Sequence, residues 1–145
     1  MTAATRTTIA ELASQLRPAL LRLTRQVRQQ RVDTSVTLTH LSAMFTLGAR
    51  GPMSAGDLAA CEKVQPPSMT KVIAGLEDRG LVARTPHPTD GRQVIISITD
   101  RGLTLLDSEK QSRDAWLTRQ LAALTPEERA QVQRIIPILE KLAQQ

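Results

Sequence analysis

Residues 85–102, TPHPTDGRQVIISITDRG, restrict the fold more than any other stretch of this 145-residue chain. Asp90-Gly91 is a tight-turn dipeptide, because glycine tolerates positive φ and aspartate bonds its own backbone. Val94, Ile96 and Ile98 then alternate, as a strand with one buried face requires. Arg92 has the same parity but lies beyond the apolar block, beside the turn. The stretch reads as the second half of a β-hairpin built from 81–86 and 92–98, with a charged tip. What Arg92 points at is the functional question.

The flanks have helical period. Residues 8–31 carry Ile9, Leu12, Leu16, Leu20, Leu23 and Val27 at three- and four-residue steps, with Pro18 predicting a kink or a helix start. Thr37 caps a helix carrying Leu38, Leu41, Met44, Phe45 and Leu47, which stops near Gly48–Gly51. Ser54 and Asp57 have capping-box spacing ahead of a short helix to Glu62. Pro66 and Pro67 mark another helix start and Gly80 its stop. Thr99 or Asp100 opens a long helix to about Leu121, with Leu103, Leu106, Trp116 and Leu117 inward. "TPEE" at 125–128 opens the last helix, with Pro137 predicting a kink. The fold class is therefore mainly α: two short helices joined by a tight turn, then a wing, with a short first strand expected before them. That is a winged helix-turn-helix, spanning 37–99 of a single 1–145 domain. Residues 1–36 and 100–145 supply the flanking helices, which are expected to form a dimerisation region.

Charge distribution bears on the partner. The net charge of +5 lies entirely in residues 1–52, where seven arginines meet only Glu11 and Asp33. The excess falls on the first helix, at Arg17, Arg22, Arg25, Arg28 and Arg31, which a solvated face would also explain. Aromatic content of 1% says more, because modules for single strands or RNA loops stack bases on rings. A nucleic-acid partner would be duplex. There is no apolar run of membrane length and no leader peptide, so a cytoplasmic protein is expected.

On a helical wheel of residues 66–79, Met69, Val72, Ile73 and Leu76 fall inward. Pro67, Lys71 and Ala74 fall outward, flanked by Ser68, Thr70 and Gly75. Such a short-chained, polar, positive face suits a major groove about 12 Å wide. A plain solvent-facing helix would look the same.

With these residues in hand, the chain resembles the MarR family of bacterial winged-helix transcriptional regulators. The likeness rests on MSAGDLAACEKVQPPSMTKVIAGLEDRGLVARTPHPTDGRQVIISITDRG, above all on Asp90-Gly91-Arg92 followed by Thr99 and DRG. The resemblance implies a homodimer on duplex DNA, usually a repressor on a pseudo-palindromic operator. Pro67, Ser68, Thr70 and Lys71 would read the major groove. Arg84, His87, Thr89, Asp90 and Arg92 would form the wing contact, with Arg92 entering the minor groove and Asp90 shaping the turn and pairing with a neighbouring arginine. It also implies a small aromatic or lipophilic effector, or cysteine oxidation, as a release signal.

Ile9, Leu12, Leu16, Ile135, Ile136, Leu139 and Leu142 form apolar stripes that a small winged core cannot cover, which predicts the dimer contact. Cys61 sits at the edge of a buried helix face and is expected to be structural, since reactivity needs exposure and a lowered pKa. Glu62 stands where relatives often have an apolar residue. His40 and His87 are far apart without clustered ligands, so no metal or other cofactor is expected, and His87 is assigned to phosphate contact or to capping the wing. No nucleophile elbow, phosphate loop or carboxylate pair is present, so no enzyme is expected. The competing reading is a winged-helix scaffold for protein–protein contact, separable by a salt-dependent duplex-DNA shift.

Overall fold

A computed structural model describes residues 7–144. The elements run α1 (Ile9–Arg28), α2 (Leu38–Arg50), β1 (Met53–Ser54), α3 (Ala55–Glu62), α4 (Pro66–Asp78), β2 (Val82–Pro86), β3 (Val94–Ile98), α5 (Asp100–Ala122) and α6 (Pro126–Ala143). Local chemistry explains the helix starts. Thr8, Thr37 and Thr125 each accept a main-chain N–H from the third residue on, and Glu11, His40 and Glu128 return the bond. Ser54 accepts the Asp57 N–H at 3.1 Å, giving only half of the expected box. Pro66 stands at the first position of α4, where its missing N–H costs nothing.

The chain divides into two compact units, one of residues 31–111 and one of α1 with the stretch from 112 onward. In the first, β1, β3 and β2 form an antiparallel sheet in that order, with Met53 and Arg84 both in register with Ile96. Its core takes Leu41, Met44 and Leu47 from α2, Leu58 and Ala59 from α3, and Met69, Ile73 and Leu76 from α4. Ala43, Val36, Leu81, Val82 and Ile96 complete it. Truncating any of the large members would cost about 2–5 kcal/mol.

Several expectations need correcting. α1 starts at its Thr8 cap and runs through Pro18, which therefore does not begin a helix. The stop of α2 is where it was expected: the helix ends at Arg50, and its cap Gly51 takes φ 86°, a conformation glycine adopts freely. Of the alternating residues in β3, only Ile96 is fully buried. Val94 is 38% exposed, because at its pairing with Pro86 the hairpin has left the core behind. Leu103 is not inward but 47% exposed, and Phe45 is 68% exposed.

Arg31 lies beyond the end of α1 and leaves its basic face. Its guanidinium donates to the carbonyls of Asp33 (3.1 Å) and Val36. Its Nε stands 3.6 Å from Oε2 of Glu109, a residue of α5 that is 1% exposed. The other Glu109 oxygen accepts the N–H groups of Val32 (3.3 Å) and Asp33 (3.2 Å). A carboxylate so deeply buried persists because a cation and two backbone donors replace its water.

Candidate nucleic-acid interface

The turn between α3 and α4 is set by Lys63, which takes the left-handed conformation at φ 53° and ends α3. Glu62 is positioned by α2: Ser42 Oγ donates to it at 2.6 Å and Thr46 Oγ1 at 2.5 Å. An apolar residue there would have packed α3 on α2; this chain does it with a carboxylate between two hydroxyls. Thr99 fixes the far end of α4. Its hydroxyl donates to Gly80 O at 2.6 Å and accepts the Gly102 N–H at 3.1 Å, so one side chain joins the α4 exit turn to the start of α5.

α4 presents the two faces its periodicity requires. Met69, Ile73 and Leu76 are buried and Val72 is half-buried, while Pro67, Ser68, Thr70, Lys71 and Ala74 are exposed. Thr70 Oγ1 donates to Pro66 O at 3.0 Å, leaving its lone pairs outward. Gly75 does not belong to the open face. A Cβ there would stand 3.0 Å from His40 Nε2, so the imidazole of α2 already covers it. His40 also serves α2, accepting the Thr37 N–H on Nδ1 at 3.1 Å. Burial, and then the nearby Arg79 charge, lower its pKa from 6.5.

The wing is a longer loop than a two-residue hairpin. Gln93 N–H donates to Asp90 O (3.1 Å) and His87 N–H to Gln93 O (3.1 Å). Gly91 is not at positive φ, contrary to the turn expected from Asp-Gly. Side chains close the loop instead. His87 Nδ1 accepts the N–H groups of Thr89 (3.2 Å) and Asp90 (3.0 Å), which is the capping role. Asp90 Oδ1 accepts the Arg92 N–H at 3.0 Å. Asp90 therefore shapes the turn as expected, but among the described residues it has no arginine side chain as partner. Arg92 is exposed, and its guanidinium has no partner among the described residues. Arg84 is different: its Nε is paired with Oε2 of Glu77 in the last turn of α4, so its head group lies at the root of the wing.

Cys61 is exposed rather than at a buried edge, and Arg50 Nη1 lies 3.3 Å from its sulfur. Among the described residues no group of three or more His, Cys, Asp or Glu could hold a metal, and no helix is long and apolar enough to cross a membrane. The roles of Glu77, Arg31 and Glu109 escaped the sequence reading, because they depend on partners the fold brings to them; Thr99 was legible as a helix cap, but not as the tie to the α4 exit turn.

A short helix, a turn, a second helix with a small polar outer face, and a hairpin tipped by a free arginine define a winged helix-turn-helix DNA-binding protein. The MarR family profile matches residues 36–94, from just before α2 to the start of β3, which is most of this module. The chain is 48% identical over 120 residues to an uncharacterised helix-turn-helix-type transcriptional regulator of Mycobacterium bovis, covering 83% of this chain and 84% of that one. It is 27% identical over 138 residues to the transcriptional repressor MdtR of Bacillus subtilis, covering 92% and 89%. A crystal structure of a putative transcriptional regulator from Pseudomonas aeruginosa superposes with a TM-score of 0.84 at 28% identity, covering 94% and 96%. The chain belongs to the MarR family of transcriptional regulators.

Proposed function

We propose that this regulator is a homodimeric repressor that binds a pseudo-palindromic operator, with Pro67, Ser68, Thr70 and Lys71 of α4 in the major groove and Arg92 in the minor groove. The observation that carries the reading is the pairing of an exposed, small-residue face on α4 with an unpartnered Arg92 held out by a side-chain-capped wing. His87, Thr89 and Asp90 shape that wing, and Arg84 acts from its root. Repression is supported by the relatedness to MdtR, which carries that name. Dimerisation falls to α1 and α6, and the site of action is the cytoplasm, where the DNA is.

A small-molecule effector that releases DNA is part of the proposal. An open pocket of about 390 Å³ in the 31–111 unit supports it, within the size range of ligand sites. Arg79, Arg101, Ser35, Thr104 and Ser108 make it polar, Leu81 and Leu105 give it an apolar side, and Asp33 completes the lining. Arg79 is the C-cap of α4, so a ligand there would act on the end of the recognition helix.

The deciding experiment measures binding to a selected duplex and a random duplex over a range of salt. Lys71→Ala should lose about 1–3 kcal/mol of discrimination at one position per half-site. Arg92→Ala should weaken binding to both duplexes and flatten the slope of log K against log salt by roughly 0.9 per phosphate neutralisation lost. Wild-type Arg92 behaviour in the variant would remove the wing from the interface. No salt-dependent shift by the wild-type protein would favour the scaffold reading.

A further inference from the structure

Arg84 and Glu77 are the charged side chains that join the recognition helix to the wing, and their placement is specific. Arg84 is in register with Ile96 and shares strand parity with Val82, so it occupies a core-facing position of β2 just where the core ends. Its stem continues the line of Val82, and its Nε meets Glu77 across the α4–β2 corner. That corner is short and already tight. The N–H groups of Gly80 and Leu81 donate to Glu77 O and Leu76 O, both at 2.9 Å, and Gly80 takes φ 68°.

Past the Thr85–Ile95 level, the last that β1 reaches through Ser54, the wing has nothing to lean on among the described residues. Thr85, Pro86 and Val94 are exposed, and from His87 to Gln93 the hydrogen bonds of the described residues stay within the hairpin. Its direction must therefore be set at the root. The tip lies some five residues on, about 16 Å at ~3.3 Å per residue, so a tilt of roughly 10° moves it by about 3 Å, a hydrogen-bond length. An exposed ion pair is weak as a source of stability. As a lever stop it controls whether tip and helix reach their grooves together.

We infer that Glu77 and Arg84 are positioning residues, a strut that fixes the angle between α4 and the wing and thereby sets sequence discrimination, rather than a phosphate contact and a bystander. The inference rests on the DNA-binding reading, and its test separates the two. Glu77→Gln, Arg84→Gln and the exchanged pair (Glu77→Arg with Arg84→Glu) are compared by binding to a duplex selected from a random pool by the wild type, and to random duplex, at several salt concentrations. Amide hydrogen exchange of the hairpin is followed without DNA.

Each single variant should exchange faster at Thr85 and Ile95 and lose roughly two- to fivefold in the ratio of selected to random affinity, the worth of an exposed pair. The salt slope should not change, and the exchanged pair should recover both the ratio and the protection. Two results overturn the strut. In one, Arg84→Gln flattens the salt slope by about 0.9 per wing while Glu77→Gln tightens binding to every duplex, making Arg84 a phosphate contact that Glu77 masks. In the other, all three variants match the wild type in exchange and in ratio. If the wild type binds no duplex, the DNA reading fails by itself and the exchange data decide whether the pair holds the wing.

Discussion

His40 shows how a single side chain can serve two helices, and what that costs in acid. Its Nδ1 must be unprotonated to accept the Thr37 N–H, while its Nε2 edge lies against Gly75 of α4. Burial and the Arg79 charge both disfavour the imidazolium in the folded chain. A base whose folded pKa lies below its unfolded value gives stability that is complete above the unfolded pKa of 6.5 and is lost as pH falls through the lower folded value. Denaturant melts of the wild type should therefore weaken below pH 6.5, and His40→Gln should show a smaller slope in that window. Equal slopes would mean the cap bond does not matter. Glycines offer a second contrast at this scale. A Cβ on Gly102 would overlap Leu81 O and stand 2.7 Å from Ile98 Cγ1, where backbone cannot give way, so Gly102→Ala should cost about 1–3 kcal/mol. Gly91 has negative φ and open space around it, so Gly91→Ala should be neutral or gain up to about 1 kcal/mol by restricting the unfolded chain. Urea midpoints of the two variants should move in opposite senses or differ widely; similar losses would contradict the packing of α5 at Gly102.

Between elements, the strain sits where function needs a sharp turn. Lys63 holds a left-handed conformation that costs a side-chain-bearing residue about 1–2 kcal/mol, yet it is the pivot between α3 and α4. Lys63→Gly should stabilise the chain by roughly 1 kcal/mol in urea unfolding, with the loss of one exposed cation as its only electrostatic consequence. A destabilised variant would show that the lysine side chain has a packing role its exposure does not suggest. This scale also explains what could be read in advance. Thr37, Thr125, Pro66 and Thr99 announced their helix ends because caps and prolines act within three residues. The inward face of α4 was legible because its period is local too. Arg31 with Glu109, Arg84 with Glu77, and Glu62 with Ser42 and Thr46 were not, because a charge's partner is decided by which elements meet. Arg31 looked like one more member of a basic helix face until α1 ended at Arg28. Gly91 misled in the opposite way. Asp-Gly signalled a turn correctly, but capping by His87 and Asp90 made the special glycine conformation unnecessary.

At the scale of the molecule, the two compact units satisfy their apolar residues very differently. The 31–111 unit has a core with Leu58, Met69 and Leu76 at zero exposure. In the other unit neither α1 nor α6 contains a single buried residue. Ile9 is 90% exposed, Leu12 56%, Ile136 48% and Leu142 55%, with Ile135 also exposed and Leu16 and Leu139 only half-covered. Capping boxes at Thr8 and Thr125 make both helices well-formed, so the exposure is not a fraying effect. Contiguous apolar stripes of this kind mark an interface. The proposed homodimer would cover them with an interface of about 2,000 Å² or more, the size at which protomers depend on one another to fold. The melting temperature should then rise with protein concentration, and light scattering should give a dimer at every concentration where the circular dichroism is helical. Ile136→Glu, which places a charge in the stripe without touching the 31–111 core, should give a chain that is monomeric only when its α1 and α6 helicity is lost. Deleting residues 1–30, a cut that spares Arg31 and so leaves Glu109 its partner, should yield aggregate rather than a soluble monomer. A stable, fully helical monomer of the Ile136→Glu chain would overturn the dependence of one protomer on the other for folding, and a helical wild-type monomer in light scattering would overturn the homodimer itself.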